Sequence, residues 1–239
     1  MKTKAFAMAM TGVILFAASG NAEPLDEVRA RLSALRNDQP MRLLVDVKLE
    51  HRGSAPLHLN KTKRRGRATV ELGPRGVKML EQQWFSSSSH FSLWRSKRGD
   101  SDIPLLSFEE ALDLADPAGA LDFALSDAVV LEDRTVTWHE QPARLLVVRP
   151  AQLVAHEETS PLVTEVKIWL DPSGIPLAME RSSEFQLGHA LKATQLLTFT
   201  YQQVEGRLLA DEVREDFQST AIAVLRGRDK RIMKVRIEG

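Results

Sequence analysis

From Ala128 onward the chain reads as one strand after another, with no helical pattern of crossover length between them. Runs of β type occur at Val129–Leu131, Thr135–Trp138, Arg144–Val148, Val163–Leu170, Leu177–Phe185, Leu196–Val204, Leu208–Phe217 and Ile232–Ile237. Asp171-Pro172-Ser173-Gly174 carries a type I turn signal, and Glu205-Gly206 marks a second hairpin. Parallel strands need a crossover of about a dozen residues or more, and these connections offer no helix of that length. The sheet is therefore expected to be antiparallel, with neighbours in sequence paired in space. A sheet of about eight or more strands must curl, close or split.

The first half of the chain supplies two helical segments and more strands. Leu25, Val28, Leu32 and Leu35 form a helical stripe, with Pro24 in its first turn and Asn37–Pro40 ending it. From Met41 the period changes to two. Leu43, Val45, Val47 and Leu49 alternate with Arg42, Asp46, Lys48 and Glu50, the pattern of a half-buried strand. A polar connection leads to a second strand at Arg67–Leu72. Gly73-Pro74-Arg75-Gly76 turns the chain, and Val77–Gln82 is a third strand or a short helix. Residues 84–101 are expected to be irregular. Ser107 with Glu110 three residues later makes a capping box for a helix with Phe108, Ala111, Leu112 and Ala115 on its apolar side. Asp116-Pro117 interrupts that helix, and a further short one is expected at Leu121–Leu125. With so few helices to cover a long meander, the expected fold is α+β and mainly antiparallel β: a curved open sheet wrapped around helical segments.

The first 22 residues have the layout of a secretory signal peptide. Lys2 and Lys4 precede an apolar run from Ala5 to Ala18, and Gly20-Asn21-Ala22 puts small residues before a cut ahead of Glu23. The run is shorter than the roughly 20 apolar residues of a membrane span; an uncleaved anchor is the alternative. Cleavage after Ala22 would release residues 23–239 as a single periplasmic domain without a stable membrane span. No linker or repeat divides it. The sequence contains no cysteine, which removes disulfides, thiolate catalysis, Cys-ligated zinc and N-terminal lipidation. The whole chain balances 32 basic against 32 acidic residues. Loss of two lysines would leave a net charge of about −2, which disfavours nucleic acid as a partner.

The run Val166-Lys167-Ile168-Trp169-Leu170-Asp171-Pro172-Ser173-Gly174-Ile175-Pro176-Leu177, followed by Phe199-Thr200-Tyr201, resembles a hairpin and later strand of periplasmic lipoprotein-carrier proteins and their relatives among periplasmic stress sensors. The resemblance is best over residues 160–217. It implies an unclosed β-barrel, a lipoprotein-carrier-like half-barrel, whose concave apolar face is covered by helices and holds acyl chains. On that footing the chain is a non-catalytic carrier or sensor whose partner is a lipid or a lipidated protein segment. Leu43, Val45, Val47, Trp169, Phe199 and Tyr201 are the expected inward positions. Residues 54–100 depart most from those carriers.

Catalytic signatures are missing. Six histidines show no His-Glu-x-x-His pattern, and there is no G-x-S-x-G elbow and no S-x-x-K. Neither a metal, a cofactor nor an enzymatic activity is expected. Two further features bear on binding. Trp84, Phe91 and Trp94, with Phe85, lie in a serine-rich stretch and form either a mouth over an apolar cavity or anchors that hold a loop on the core. Lys61, Lys63, Arg64, Arg65 and Arg67 form the densest charge in the chain. They contact anionic head groups or an acidic envelope protein, or else form a solvated hairpin that blunts a sheet edge. In the second case for function, the chain is an interaction module with a self-filled core and binds through residues 61–67.

Overall fold

A computed structural model describes residues 23–36, 39–55, 58–73, 76–90, 105–151, 162–187, 191–221 and 225–238. Helix α1 (Glu23–Ala34) leads into β1 (Met41–Ala55), β2 (His58–Gly73) and β3 (Gly76–His90). Helices α2 (Phe108–Ala115) and α3 (Pro117–Leu125) follow. The rest is strand: β4 (Val129–Trp138), β5 (Gln141–Arg149), β6 (Leu162–Leu170), β7 (Pro176–Leu187), β8 (Leu191–Val204), β9 (Arg207–Ala221) and β10 (Leu225–Ile237). All ten belong to one antiparallel sheet in the order β3-β2-β1-β10-β9-β8-β7-β6-β5-β4. The sheet is curved and not closed; β3 and β4 are its edges.

Two meanders, of three and seven strands, meet within this sheet where β1 pairs with β10 from Leu43↔Ile237 to Ser54↔Arg226. Period-two patterning announces each strand but does not say which distant strand closes the gap. The polar connection expected before Arg67 is instead the continuation of a long hairpin, paired from Met41↔Leu72 to Ala55↔His58. Likewise β3 runs on through Trp84 and the serines to His90, where irregular chain is expected, because β2 supplies a partner as far as Lys61↔His90. Serine has little β preference of its own; the ladder of hydrogen bonds to β2 overrides it.

The turns behave as their residues dictate. Asp171 Oδ1 accepts from the Ser173 and Ile175 backbone N–H groups at 2.8 Å each, closing the β6–β7 turn. Glu205 (φ 51°) and Gly206 (φ 76°) form the left-handed pair that a two-residue hairpin requires.

One face of the sheet carries the helices and the core. Leu25, Val28, Leu32 and Leu35 of α1 are buried against α3 and the sheet, and each buried leucine adds roughly 1.5–3 kcal/mol. The strand residues beneath are Leu43, Val45 and Val47 on β1, Ala68 and Val70 on β2, Ile168 on β6, Phe199 on β8, Val213 on β9, and Met233 and Val235 on β10. The capping box is formed as expected: Ser107 Oγ accepts from Glu110 N–H at 3.1 Å, and Glu110 accepts from Ser107 N–H at 2.7 Å. Asp116 ends α2 and caps α3, with Pro117 in the first turn of the new helix. The face of α2 differs from expectation. Ala111, Leu114 and Ala115 are buried, whereas Phe108 and Leu112 are exposed.

Candidate functional site

Two surfaces present themselves, one on each face of the sheet. The inner face collects most of the residues expected to face inward. Leu43 and Val45 have no exposed surface and Val47 almost none. Phe199 and Tyr201 alternate on β8 with stacked rings 6.2 Å apart, both against the core. Trp84 also packs on the core, opposite Gly66 of β2. Phe91 and Trp94 lie outside the described residues, so the expected aromatic mouth has only Trp84 and Phe85 within the described chain, and these two point to opposite faces.

Trp169 is not an inner residue. Val166, Ile168 and Leu170 belong to the core, and strict alternation sends Trp169 to the other side. There its ring lies 4.5 Å from that of Trp138, with Leu145 and Ala178 as its cross-strand neighbours. A tryptophan in a β run signals burial of some apolar surface, but the register decides which face, and here it covers the outer one.

The inner face also holds polar groups, of which the sequence singles out only Tyr201. Burial pushes the Tyr201 phenol well above its ordinary range, and the nearby Asp113 carboxyl adds to the shift. Burial likewise raises Asp113, with Arg181 opposing. Arg181 stands on β7 opposite Val166 and Leu197, and its Nε is buried without a hydrogen-bond partner among the described residues. These groups put Arg181, Asp113 and Tyr201 together under α2.

The start of α2 is fastened at three points. Gln82 Oε1 of β3 accepts from Leu105 N–H at 2.9 Å and from Leu106 N–H at 3.0 Å. Arg231 of β10 donates to the Glu110 carboxylate and to the Leu105 carbonyl, and lies 3.8 Å from Glu215. The capping box is the third. Nothing in the sequence pairs Gln82 or Arg231 with α2; each contact spans more than 20 residues.

On the outer face, β2 displays Lys61, Lys63, Arg65 and Arg67 at every second position. Arg64 does not join them. It is 9% exposed and sits on the inner side, its guanidinium 5.7 Å from the Trp84 ring. Period two separates a basic run into two faces, and only the odd-numbered members share the surface. The adjacent outer positions are Lys48 on β1, and Lys230, Ile232 and Lys234 on β10. A groove of about 380 Å³ lies among Lys48, Glu50, Lys63, Arg65, Lys230 and Ile232. A second, of about 230 Å³, shares Lys48, Arg65 and Ile232 and extends to Arg67, Phe85 and Lys234. Asp216 is held below the ordinary carboxylate range by its hydrogen bond from Arg228, and Glu212 is lowered by Arg214 and Lys234 against the cost of burial. These two carboxylates of β9 are engaged in ion pairs with cations, not with each other as an acid–base pair.

Among the described residues no helix is long and apolar enough to cross a membrane, and no cluster of three His, Asp or Glu side chains converges as a metal site would require.

No family model and no curated protein matches the chain. Among solved structures, it is similar to a DUF1329 family protein from Desulfovibrio piger, at 9% identity over 90% of this chain and 92% of the other, with a TM-score of 0.36. A second is a putative outer membrane lipoprotein-sorting protein domain from Vibrio parahaemolyticus, at 14% identity over 91% and 94% of the two chains and a TM-score of 0.33. Lipovitellin, in a structure described by its lipid–protein interactions, is similar over 86% of this chain and 25% of its own, at 10% identity and a TM-score of 0.38.

Proposed function

We propose that this chain is a non-catalytic binding protein of the bacterial envelope, which holds an acyl chain or a lipidated segment on the inner face of its open sheet. The observation that carries this reading is the construction of the core. A single continuous apolar face, from Ala68 and Val70 on β2 to Leu146 on β5, is roofed by three short helices and not by a second sheet. Lifting α2 would expose a long apolar surface without breaking any strand pairing. Beyond its own buried Ala111, Leu114 and Ala115, α2 is held by the polar contacts of Gln82 and Arg231 at its start, and Phe108 and Leu112 already stand unburied on it. Transfer of an acyl chain into such a site is driven by roughly 25 cal/mol per Å² of buried apolar area, less the cost of association.

A second reading follows from the same geometry. Leu43, Val45 and Val47 are sealed beneath the helices, as in a self-filled core whose binding surface lies outside. A charge at Val45 would unfold the protein and cannot separate the two readings.

Native purification of the chain from Glu23, followed by native mass spectrometry and lipid extraction, separates them. A stoichiometric acyl-bearing molecule is the expected result, with increased uptake of fatty acid or lipopeptide when Arg231→Ala and Gln82→Ala loosen α2. A ligand-free mass for the native protein, together with no uptake by the folded double variant, overturns the carrier reading in favour of the self-filled one.

A further inference from the structure

We propose that the outer face of β2, β1 and β10 is a docking surface for an anionic lipid membrane. The inference stands apart from whether the inner face takes a ligand. It begins with the distribution of charge. Four carboxylates on this face and its border, Asp46, Glu50, Glu212 and Asp216, are shared among nine cations. Asp46 is bound by Arg67 at 2.8 Å and by Arg236. Glu50 is bound by Arg52, Lys61 and Lys63 at 2.6, 3.4 and 3.8 Å. Glu212 is bound by Arg214 and Lys234, and Asp216 by Arg228 and Lys230. Each of these four thus meets two or three cations, with Glu71 paired singly to Arg42 at the end of β2, while the whole chain is balanced.

Lys48 and Arg65 make the case sharper. They lie directly opposite each other in the β1–β2 register and neither has an ion-pair partner among the described residues. Like charges directly across an antiparallel pair destabilise the fold. They also flank the two grooves, whose shared floor is Ile232. Beside them Phe85 is 56% exposed, with the Arg67 guanidinium 5.9 Å from its ring.

This combination favours a membrane over a point ligand. The cations are spread along strands of 13–16 residues and are not gathered around one centre. Strands of that length extend about 40–50 Å at roughly 3.3 Å per residue. The array matches a surface of phosphates, and an exposed phenylalanine beside an arginine suits the boundary between head groups and acyl chains.

The test is co-sedimentation of the chain from Glu23 with vesicles of phosphatidylcholine alone or mixed with phosphatidylglycerol, at low and high salt. Binding is expected to need phosphatidylglycerol and to disappear at high salt. Lys48→Gln with Arg65→Gln should weaken it about thirtyfold. That variant removes a like-charge contact, so its thermal midpoint should be unchanged or raised. Phe85→Ser should weaken binding further without altering its salt dependence. Equal binding to neutral vesicles, no binding to either, or undiminished binding by the folded double variant would overturn the proposal. So would full competition by inorganic phosphate, which would mark a site for the free ion.

Discussion

Gly66 is the position at which the described packing can be tested most directly. It lies on β2 opposite Trp84, where the register slips between Arg65 and Gly66. A Cβ built there would stand 2.0 Å from Leu105 Cδ1, 2.7 Å from the Gln83 carbonyl oxygen and 3.1 Å from Trp84 Cε3. Leu105 is buried and its backbone is tied to Gln82, so it has little room to withdraw. The Gln83 oxygen belongs to the neighbouring strand, and moving it strains the β2–β3 ladder. Gly66→Ala should therefore cost about 1–3 kcal/mol, the usual penalty for forcing atoms into a filled core. In a chain of this length that corresponds to a fall in thermal midpoint of roughly 2–12 °C. Gly73→Ala is the control. Its Cβ would meet nothing within 4 Å, and its φ is not left-handed. The alanine there should be neutral or stabilising by up to about 1 kcal/mol, through the unfolded chain. Circular dichroism melts of both variants decide the matter. An unchanged midpoint for Gly66→Ala would mean that Leu105 and Trp84 do not close over β2, and the described fastening of α2 would fall with them.

Three other expectations follow from the charges and rings. Asp113 has its carboxyl pushed up by burial, so the folded state prefers it protonated; stability from this residue is present below its unfolded pKa and is lost as pH rises through the folded value. Asp113→Asn should therefore stabilise the protein at neutral pH and leave it unchanged at acid pH, read from urea midpoints at the two pH values. Asp133 has the opposite sign: Arg144 donates to its two oxygens at 2.8 Å each and holds it low. Its contribution is present above the unfolded pKa and disappears as pH falls through the folded one, so Asp133→Asn should lose stability at neutral pH and converge with the parent in acid. Trp138→Ala should cost about 0.5–1.5 kcal/mol beyond the lost area and should shift the emission of Trp169 to the red, because the two rings cover each other on the outer face. An unshifted spectrum would argue against that pairing.

The parts of this fold that were legible in the sequence are those governed by local rules. Leu25 to Leu35 form one helical face, Leu43, Val45 and Val47 alternate into the core, Ser107 and Glu110 cap each other, and Asp171 organises its own turn. Each depends on residues within about a dozen positions. What was not legible depends on a partner elsewhere. Ser86–Ser89 are strand only because β2 runs beside them, and β1 meets β10 across 190 residues of sequence at Asp46 and Arg236. The candidate sites divide in the same way. Alternation alone could have separated Arg64 from Lys63 and Arg65, and Trp169 from Ile168, since the period of two was already visible. Gln82 and Arg231 had no such signal, because their roles exist only once α2 has been laid on the sheet.

The β1–β10 seam also governs the order in which this chain can fold. The ladder between the third and fourth strands of the sheet joins residues 43–54 to residues 226–237, so contact order is high at this seam. Closing so long a loop carries an entropic cost before any contact rewards it, and such topologies fold slowly. During synthesis β1–β3 emerge first and wait, with β1 unpaired along one side, until β10 arrives. On this topology the ladder between β1 and β10 can form only when synthesis is nearly done. Tying the two halves together earlier, for instance by a circular permutation that places β10 directly before β1, should speed refolding after dilution from denaturant.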